Sequence, residues 1–289
     1  MVFWFRSPVI VVTDPSFSLL YGVNRAKLKQ TELSLLYYRR VISVQVTEAA
    51  GADVVAAAAE AASEKPFVVF FPSHFSAGAR RYSGEKPDTP VVIIEGRHEN
   101  PDRLRSADSA AKWPVYVHTD IEADMIKAGV IAAHLFSTHH VDGTQGEIQV
   151  LHDSSLTNAH RAAFKKGLES QGYTRNPVYL DASADYLVRA STVCVVIIGP
   201  AGKYFEHSTS IPTVLFTWID PEMTPANVRV IFDDSPWAMA AKAPKILESG
   251  GGLFPSVLTA FLKRNGDEFA FFWDLQMKKD FIGKNEHDL

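Results

Sequence analysis

The sequence has little of what a disulfide-bonded, cysteine-metal or membrane-spanning protein requires. Cys194 is the single cysteine among 289 residues, which excludes an internal disulfide and a cysteine metal cluster. It lies within the apolar stretch VCVVII, where a small buried hydrophobic residue is expected. No run approaches the length of about 18 apolar residues that a membrane-spanning helix needs.

Positive charge is also scarce. The chain has 29 basic and 33 acidic residues and a net charge of -4, and its pI is about 6.2. No long run of lysine or arginine occurs, whereas nucleic-acid-binding domains usually carry a strongly basic patch. We therefore expect no nucleic-acid partner.

The common catalytic motifs are missing as well. No G-x-G-x-x-G follows the first predicted strand, and no G-x-S-x-G elbow occurs. The segment Gly199–Lys203 lacks phosphate-loop spacing because Tyr204 follows the lysine. His139, His140 and His152 could suggest a metal site, but the pair His139-His140 is followed by VDG and has no third ligand at helical or hairpin spacing. We expect no enzyme activity, no cofactor and no metal.

What the sequence does contain is an alternation of strands and helices. Apolar residues make up 46 % of it, enough for a sizeable core. Residues 114–153 read as a strand at 115–118, a helix that begins at Ile121, and a strand at 148–151. This is the repeating unit of a parallel sheet.

Similar units lie on both sides of this stretch. Strands are predicted at 8–14, 41–46, 67–71, 91–94, 178–180, 193–198, 213–219, 228–232 and 269–273. Helices are predicted at 22–40, 52–63, 158–170, 237–247 with a bend at Pro244, and 255–263. The pattern predicts a doubly wound α/β fold that binds its ligand outside the carboxyl ends of the strands.

Three stretches resemble a known family. They are VHTDIEADMIKAGVIAAHL, GEIQVLHDSSLTNAHRAAFKKGLESQGY and VRVIFDDSPWAMAAKAPKIL. In order and spacing they are similar to the two lobe crossovers and the ligand-bearing helix of type I periplasmic solute-binding proteins. That family shares its two-lobed fold with the effector domains of LacI-type repressors. The resemblance covers about residues 8–250; it departs from the family at Phe164, where a glycine is common, and after Gly250.

The resemblance implies two Rossmann-like lobes. The N-terminal lobe would comprise residues 1–119 plus about 233–250, and the C-terminal lobe residues 120–232. Residues 251–289 are not assigned to either lobe. Closure of such lobes about their linkers would order the ligand site.

The resemblance also implies a ligand site at the strand ends and the return crossover. The candidates are Asp14, Phe17, Tyr21, Ser73, Glu95, Arg97, Asp153, Asn158, Arg161, Trp218, Asp220, Asp234 and Trp237. Several have a structural alternative. Asp14 and Asp153 could cap helices, Trp218 could belong to the core, and Glu95 and Arg97 could form a surface ion pair.

The implied function is capture of a small solute for an ABC transporter, with a membrane permease as partner. The aromatic candidates suggest a fused aromatic ring with a hydroxylated arm: riboflavin first, a nucleoside second, with a sugar as the alternative. An intracellular effector domain of a transcription regulator is the other alternative. The opening MVFWF is either the trimmed end of an export leader or an arm packed on the body. We expect a periplasmic protein or a membrane-anchored lipoprotein whose leader is not in this chain.

Overall fold

The computed structural model describes residues 6–96, 112–139, 146–152, 156–181, 189–199, 210–216, 227–260, 263–265 and 268–270. These residues form two compact units. The first takes its described residues from Met1–Ile121 and Asp234–Val257. The second takes them from Glu122–Thr217, Pro221–Asp233 and Leu258–Leu289.

The elements alternate along the chain as the doubly wound pattern predicts. The strands are β1 (Val9–Thr13), β2 (Val41–Gln45), β3 (Val68–Pro72), β4 (Val91–Ile94), β5 (Val115–Thr119), β6 (Glu147–His152), β7 (Val178–Asp181), β8 (Thr192–Ile198), β9 (Thr213–Phe216), β10 (Val228–Asp233), β11 (Gly252–Phe254), β12 (Val257–Ala260), β13 (Lys263–Asn265) and β14 (Glu268–Ala270). The helices are α1 (Pro15–Tyr21), α2 (Val23–Tyr37), α3 (Ala52–Ala62), α4 (Ser76–Glu85), α5 (Ile121–His139), α6 (Asn158–Ser170), α7 (Pro236–Ala240) and α8 (Ala243–Ser249), and a 3-10 turn covers Ser73–Phe75.

The first unit is built on a six-stranded sheet in the order β11-β5-β4-β3-β1-β2. Its neighbouring strands pair in parallel. Every residue of β1 and β4 is buried, as expected for central parallel strands covered on both faces. α7 packs on β1, β3 and α2, and its indole Trp237 belongs to the core.

The second unit repeats this design. Its six-stranded sheet has the order β12-β10-β9-β8-β6-β7. The pairings of β6 with β7 and β8, and of β9 with β8 and β10, are all parallel. A core formed by β6, β8, β9 and β10 fills one part of it. No described helix combines the length and hydropathy that crossing a bilayer would require.

The doubly wound α/β prediction is confirmed, and β4 and α6 have the predicted bounds. The C-terminal predictions need correction. The helix predicted at 237–247 is two short helices separated at Ala241 and Lys242. Pro244 does not bend a helix; it lies in the first turn of α8, where its missing N–H is not needed.

The predicted helix at 255–263 is wrong. The chain instead adds β11 to the edge of the first sheet and β12 to the edge of the second. β11 pairs in parallel with β5, and the Phe254 carbonyl accepts a hydrogen bond from the Asp120 N–H. Unpaired edge groups therefore override the local helix pattern. The strand predicted at 269–273 is β14 as far as Ala270; residues 271–273 lie outside the described residues.

Two glycines set how closely α5 and α6 approach. A Cβ added at Gly129 would overlap with the Phe164 carbonyl oxygen, and one at Gly167 would overlap with the Ile126 carbonyl oxygen. The obstructing atoms are backbone, which cannot move aside as a flexible side chain can. Both positions therefore require glycine for packing.

We expect Gly129→Ala to lower the free energy of unfolding by about 2 kcal/mol or more, because the two helices must separate. Gly84→Ala is the matched control, since a Cβ there meets nothing within 4 Å. It should leave stability unchanged or slightly raised, because alanine favours helix. Urea denaturation of both variants checks this. Equal midpoints would contradict the packing role of Gly129.

Cys194 is fully buried in β8, and burial raises the pKa of its thiol. The thiolate is the reactive form of cysteine. We therefore expect a thiol reagent to leave the native protein unlabelled and to label one thiol per chain after denaturation. Rapid labelling of the folded protein would contradict the buried position of β8.

Candidate functional site

Asp14 begins the site, where β1 ends. Its Oδ1 accepts a hydrogen bond of 2.7 Å from the Phe17 N–H, which caps α1. Its Oδ2 lies 3.2 Å from His74 Nε2. The cap fixes the carboxylate at the carboxyl end of β1, and its second oxygen faces the 3-10 turn that follows β3. Capping and a place in the candidate site are therefore combined in one side chain.

A cavity of about 370 Å³ opens at the carboxyl ends of β1, β3 and β4, within the first unit. Its lining consists of Asp14, Ser16, Phe17, Leu20, Glu48, Pro72, Ser73, His74, Ile94, Gly96, Asp234, Ser235 and Pro236. Four of the predicted site residues are brought together here: Asp14, Phe17, Ser73 and Asp234. This is the edge at which open α/β sheets bind ligands.

Asp234 reaches the cavity from the segment that follows β10. It is buried, and its Oδ2 accepts a hydrogen bond of 3.0 Å from the Thr119 hydroxyl at the end of β5. Ser235 follows and caps α7 through its side-chain oxygen, which accepts from the Ala238 N–H. The cap and the threonine together hold the Asp234 carboxylate in one position.

The lining of the cavity is rich in hydrogen-bond acceptors. It includes the carboxylates of Asp14, Glu48 and Asp234, and His74 is the one basic side chain among the described lining residues. Carboxylates accept hydrogen bonds from hydroxyl and amino groups. The arrangement favours a neutral or positively charged polar ligand over an anionic one.

Phe17 supplies a ring to the cavity wall, but Tyr21 does not. The two rings stack with centroids 5.2 Å apart and an interplanar angle of 22°. Tyr21 is fully buried, and the Arg25 guanidinium lies 4.3 Å from its ring centroid. Tyr21 therefore supports Phe17 from within the core.

Glu95 and Trp237 are also placed away from this lining. Glu95 Oε2 lies 2.9 Å from Nε2 of His118, a buried histidine at the end of β5. Trp237 is buried in the core of the first unit. The sequence did not predict this core position for Trp237.

The second unit gathers a different set around α6. Arg161 Nη2 lies 3.2 Å from His152 Nε2, and its guanidinium lies 4.6 Å from the ring centroid of Tyr179. Its Nε is buried without a hydrogen-bond partner among the described residues. Burial raises the pKa of the Tyr179 hydroxyl, and the nearby Arg161 opposes this rise.

The start of α6 bears on the helix-capping role that the sequence left open for Asp153. Thr157 is the N-cap and accepts from the His160 N–H, while the His160 ring accepts from the Thr157 N–H. Asn158 is exposed at the first position of the helix. Four predicted site residues, Arg97, Asp153, Trp218 and Asp220, lie outside the described residues.

Sequence reasoning missed several participants. Glu48, Ser235 and Leu20 line the cavity, and His152 and Tyr179 surround Arg161. His152 ends β6 and Ser235 follows β10, so the strand-end rule could have found both. Glu48 lies three residues beyond β2 in a turn, where that rule gives no signal.

No three His, Cys, Asp or Glu side chains in the described part of the chain are grouped as a metal site would need.

Known structures resemble this arrangement of elements. An ABC transporter system solute-binding protein from Conexibacter woesei DSM 14684 aligns with 97 % of this chain and 96 % of its own, with a TM-score of 0.58 and 12 % identity. The chain has the fold of the type I periplasmic binding proteins. The likeness at this identity concerns the fold.

Two further structures are similar at lower scores. A periplasmic ribose ABC transporter structure from Conexibacter woesei DSM 14684 covers 88 % of this chain and 92 % of its own, with a TM-score of 0.45 and 10 % identity. A LacI transcriptional regulator from a Rhodococcus species covers 87 % and 96 %, with a TM-score of 0.46 and 11 % identity. Neither a protein-family model nor a curated protein sequence matches the chain.

We expect Asp14→Ala to lower the free energy of unfolding by about 1 kcal/mol, because α1 loses its N-cap. Asp14→Asn should cost less, since an amide oxygen can still accept from the Phe17 N–H. Asp53→Ala is the control, because Asp53 is an exposed partner of Arg81. Its effect should be about 0.5 kcal/mol or less. Thermal unfolding that ranks Asp53→Ala as the more damaging change would contradict this account of the cap.

Proposed function

We propose that this chain is the solute-binding protein of an ABC transporter, which binds its solute without chemical change and delivers it to a membrane permease. The observation that carries the proposal is the acceptor-rich cavity at the carboxyl ends of β1, β3 and β4. The fold shared with the Conexibacter solute-binding protein over 97 % of the chain supports it. Action outside the cytoplasmic membrane, as a periplasmic protein or a lipoprotein, follows from this role.

We further propose that the two compact units are the two lobes of such a protein. The predicted boundaries at residues 119/120 and 232/233 are supported by a first unit that ends at Ile121 and resumes at Asp234. The segment after Gly250 would then belong to both lobes, since β11 joins the first sheet and β12 the second.

The solute that suits the cavity best carries several hydroxyl groups. Three carboxylates, Asp14, Glu48 and Asp234, are available as acceptors, and Ser73 and Ser235 add hydroxyls that can donate or accept. Phe17 offers a ring against which the apolar face of a sugar can pack. Asp14, Phe17 and Asp234 are therefore the proposed ligand contacts of the first unit, and Arg161 is a proposed ligand contact of the second unit.

This lining changes the order of the ligand candidates. Riboflavin or a nucleoside would need aromatic side chains that stack on its fused ring. Tyr21 and Trp237 are not available for this, because they are packed in the core of the first unit. A sugar needs one ring face and many acceptors, which the cavity supplies. We therefore propose a sugar first, with a nucleoside and riboflavin as the next candidates.

Calorimetric titration with pentoses, hexoses, nucleosides and riboflavin tests the proposal. We expect saturable binding of one of these solutes in a one-to-one ratio, and recovery of the unaltered solute after incubation. Mass spectrometry of the purified protein would identify a solute that remains bound. Conversion of the solute into another compound would contradict a transport role.

For the solute that binds, Asp234→Asn should weaken affinity at least about tenfold, because a charge-assisted hydrogen bond becomes a neutral one. Asp53→Asn, a change of the same kind at an exposed helix position, should leave affinity unchanged. Circular dichroism would first establish that both variants fold. Equal dissociation constants for the two variants and the original protein would remove Asp234 from the site.

A further inference from the structure

The cavity at the carboxyl ends of β1, β3 and β4 is lined by charge of one sign. Among its described lining residues, Asp14, Glu48 and Asp234 carry carboxylates, and none is a lysine or an arginine. His74 supplies at most one positive charge, when its imidazole is protonated. The described lining therefore keeps at least two more negative than positive charges, whichever state the imidazole has.

Two of these carboxylates have little contact with water. Asp14 and Asp234 are 5 % and 7 % exposed. The Asp14 oxygens face the Phe17 N–H and the His74 ring, and Asp234 Oδ2 accepts from the Thr119 hydroxyl, a neutral donor. A solute that fills the cavity displaces the water that remains. Because a charge removed from water needs compensation, a positively charged group on the solute is favoured beside these two side chains.

Glu48 adds a third carboxylate, at the end of the neighbouring strand β2. It lies exposed in a turn, and no hydrogen bond or ion pair joins it to another residue in the described part of the chain. An exposed carboxylate is ordinary by itself, but this one lines the same cavity as Asp14 and Asp234. A cleft lined by one sign of charge concentrates solutes of the opposite sign.

The rest of the lining indicates what else the solute carries. Phe17 offers a ring on which the apolar face of a sugar can pack, and the same ring face attracts a nearby ammonium group. Ser16, Ser73 and Ser235 contribute hydroxyls, which pair with hydroxyl groups as donors or acceptors. The cavity thus combines a surface for a sugar ring with a charge that a neutral sugar does not balance.

We propose that the solute is an amino sugar, which carries several hydroxyl groups and one protonated amino group. The ammonium group lies at the wall formed by Asp14, Glu48 and Asp234, and the hydroxyl groups pair with the serines. Other hydroxyl groups remain available to Arg161, the proposed contact of the second unit. The inference rests on the proposed function and narrows its solute class from sugars in general to cationic sugars.

Calorimetric titration of the whole chain with matched sugars tests the proposal. The probes are glucosamine, galactosamine and mannosamine, each compared with its neutral parent sugar and its N-acetyl derivative, at a slightly acidic pH that keeps the amines protonated. We expect one amino sugar to bind at least about tenfold more tightly than both of its neutral partners, because its hydrogen bonds to the carboxylates are charged on both sides. Equal or tighter binding of a neutral partner would overturn the proposal.

A matched pair of variants assigns the preference to this wall. Glu48→Gln should weaken binding of the amino sugar about fivefold or more and leave the affinity for its neutral parent within about twofold. Glu64→Gln is the control, because Glu64 is an exposed glutamate of the same unit outside the cavity lining. Equal amino-sugar affinities in the two variants would overturn the placement of the ammonium group at this wall.

The outcomes separate this inference from the proposed function. Binding of a neutral sugar, a nucleoside or riboflavin in preference to every amino sugar would overturn the inference and leave the solute-binding role standing. Absence of binding by all of these compounds would overturn both.

Discussion

The parallel pairing of β1 to β5 in one sheet and of β6 to β10 in the other is the constraint on which the rest of the structure depends. Parallel strands cannot be joined by tight hairpins, so each strand is followed by a crossover. The crossovers cover both faces of β1, β3 and β4, which accordingly consist almost entirely of buried apolar residues. The same constraint brings the carboxyl ends of successive strands to one edge. The side chains of Asp14 and Ser73 are therefore grouped without being close in sequence, and Asp234 joins them from the segment that returns to the first unit after β10.

Helix N-termini do the local positioning at that edge. Asp14 begins α1 and Ser235 begins α7, and in both the capping side chain accepts from a backbone N–H that would otherwise lack a partner. In the second unit Thr157 does the same for α6, four residues before Arg161. Each cap fixes the direction in which the next few side chains point. A carboxylate fixed in this way loses little conformational entropy when a ligand binds.

Much of this could be predicted from the sequence, because the information was local. Strand bounds such as 91–94 follow from uninterrupted β-branched residues, and the α6 bounds follow from a polar start and a helical apolar stripe. The family resemblance implied Asp14, Phe17 and Ser73 as ligand contacts, and all three line one cavity. The predictions at Arg97, Asp153, Trp218 and Asp220 stay predictions, since those residues lie outside the described ones.

The remainder depended on contacts between distant segments. The sequence predicts a helix at 255–263. Instead, residues 252–254 form an edge strand of the first sheet and residues 257–260 an edge strand of the second. Trp237 follows a strand end just as Phe17 does, but the space between α2, β1 and β3 accommodates its indole in the core. No spacing rule distinguishes an aromatic residue that faces a cavity from one that fills a core. That difference appears only when the neighbouring elements are placed.

The order in which the chain leaves and re-enters the first unit affects how it can be made. α7, with Trp237, Ala238, Met239 and Ala240 all buried, and α8 complete a core otherwise formed by residues before Ile121. A ribosome must therefore synthesise the segments of the second unit that precede Asp234 before the first unit can be closed. Until then the surfaces of β1 and β3 that α7 covers remain accessible to water or to a chaperone. The main segment of the second unit is continuous, so it can fold while the core of the first unit still lacks α7. A circular permutant that begins at Asp234, with the original ends joined, would keep the same packing. In that permutant α7 would be synthesised before β1 and β3.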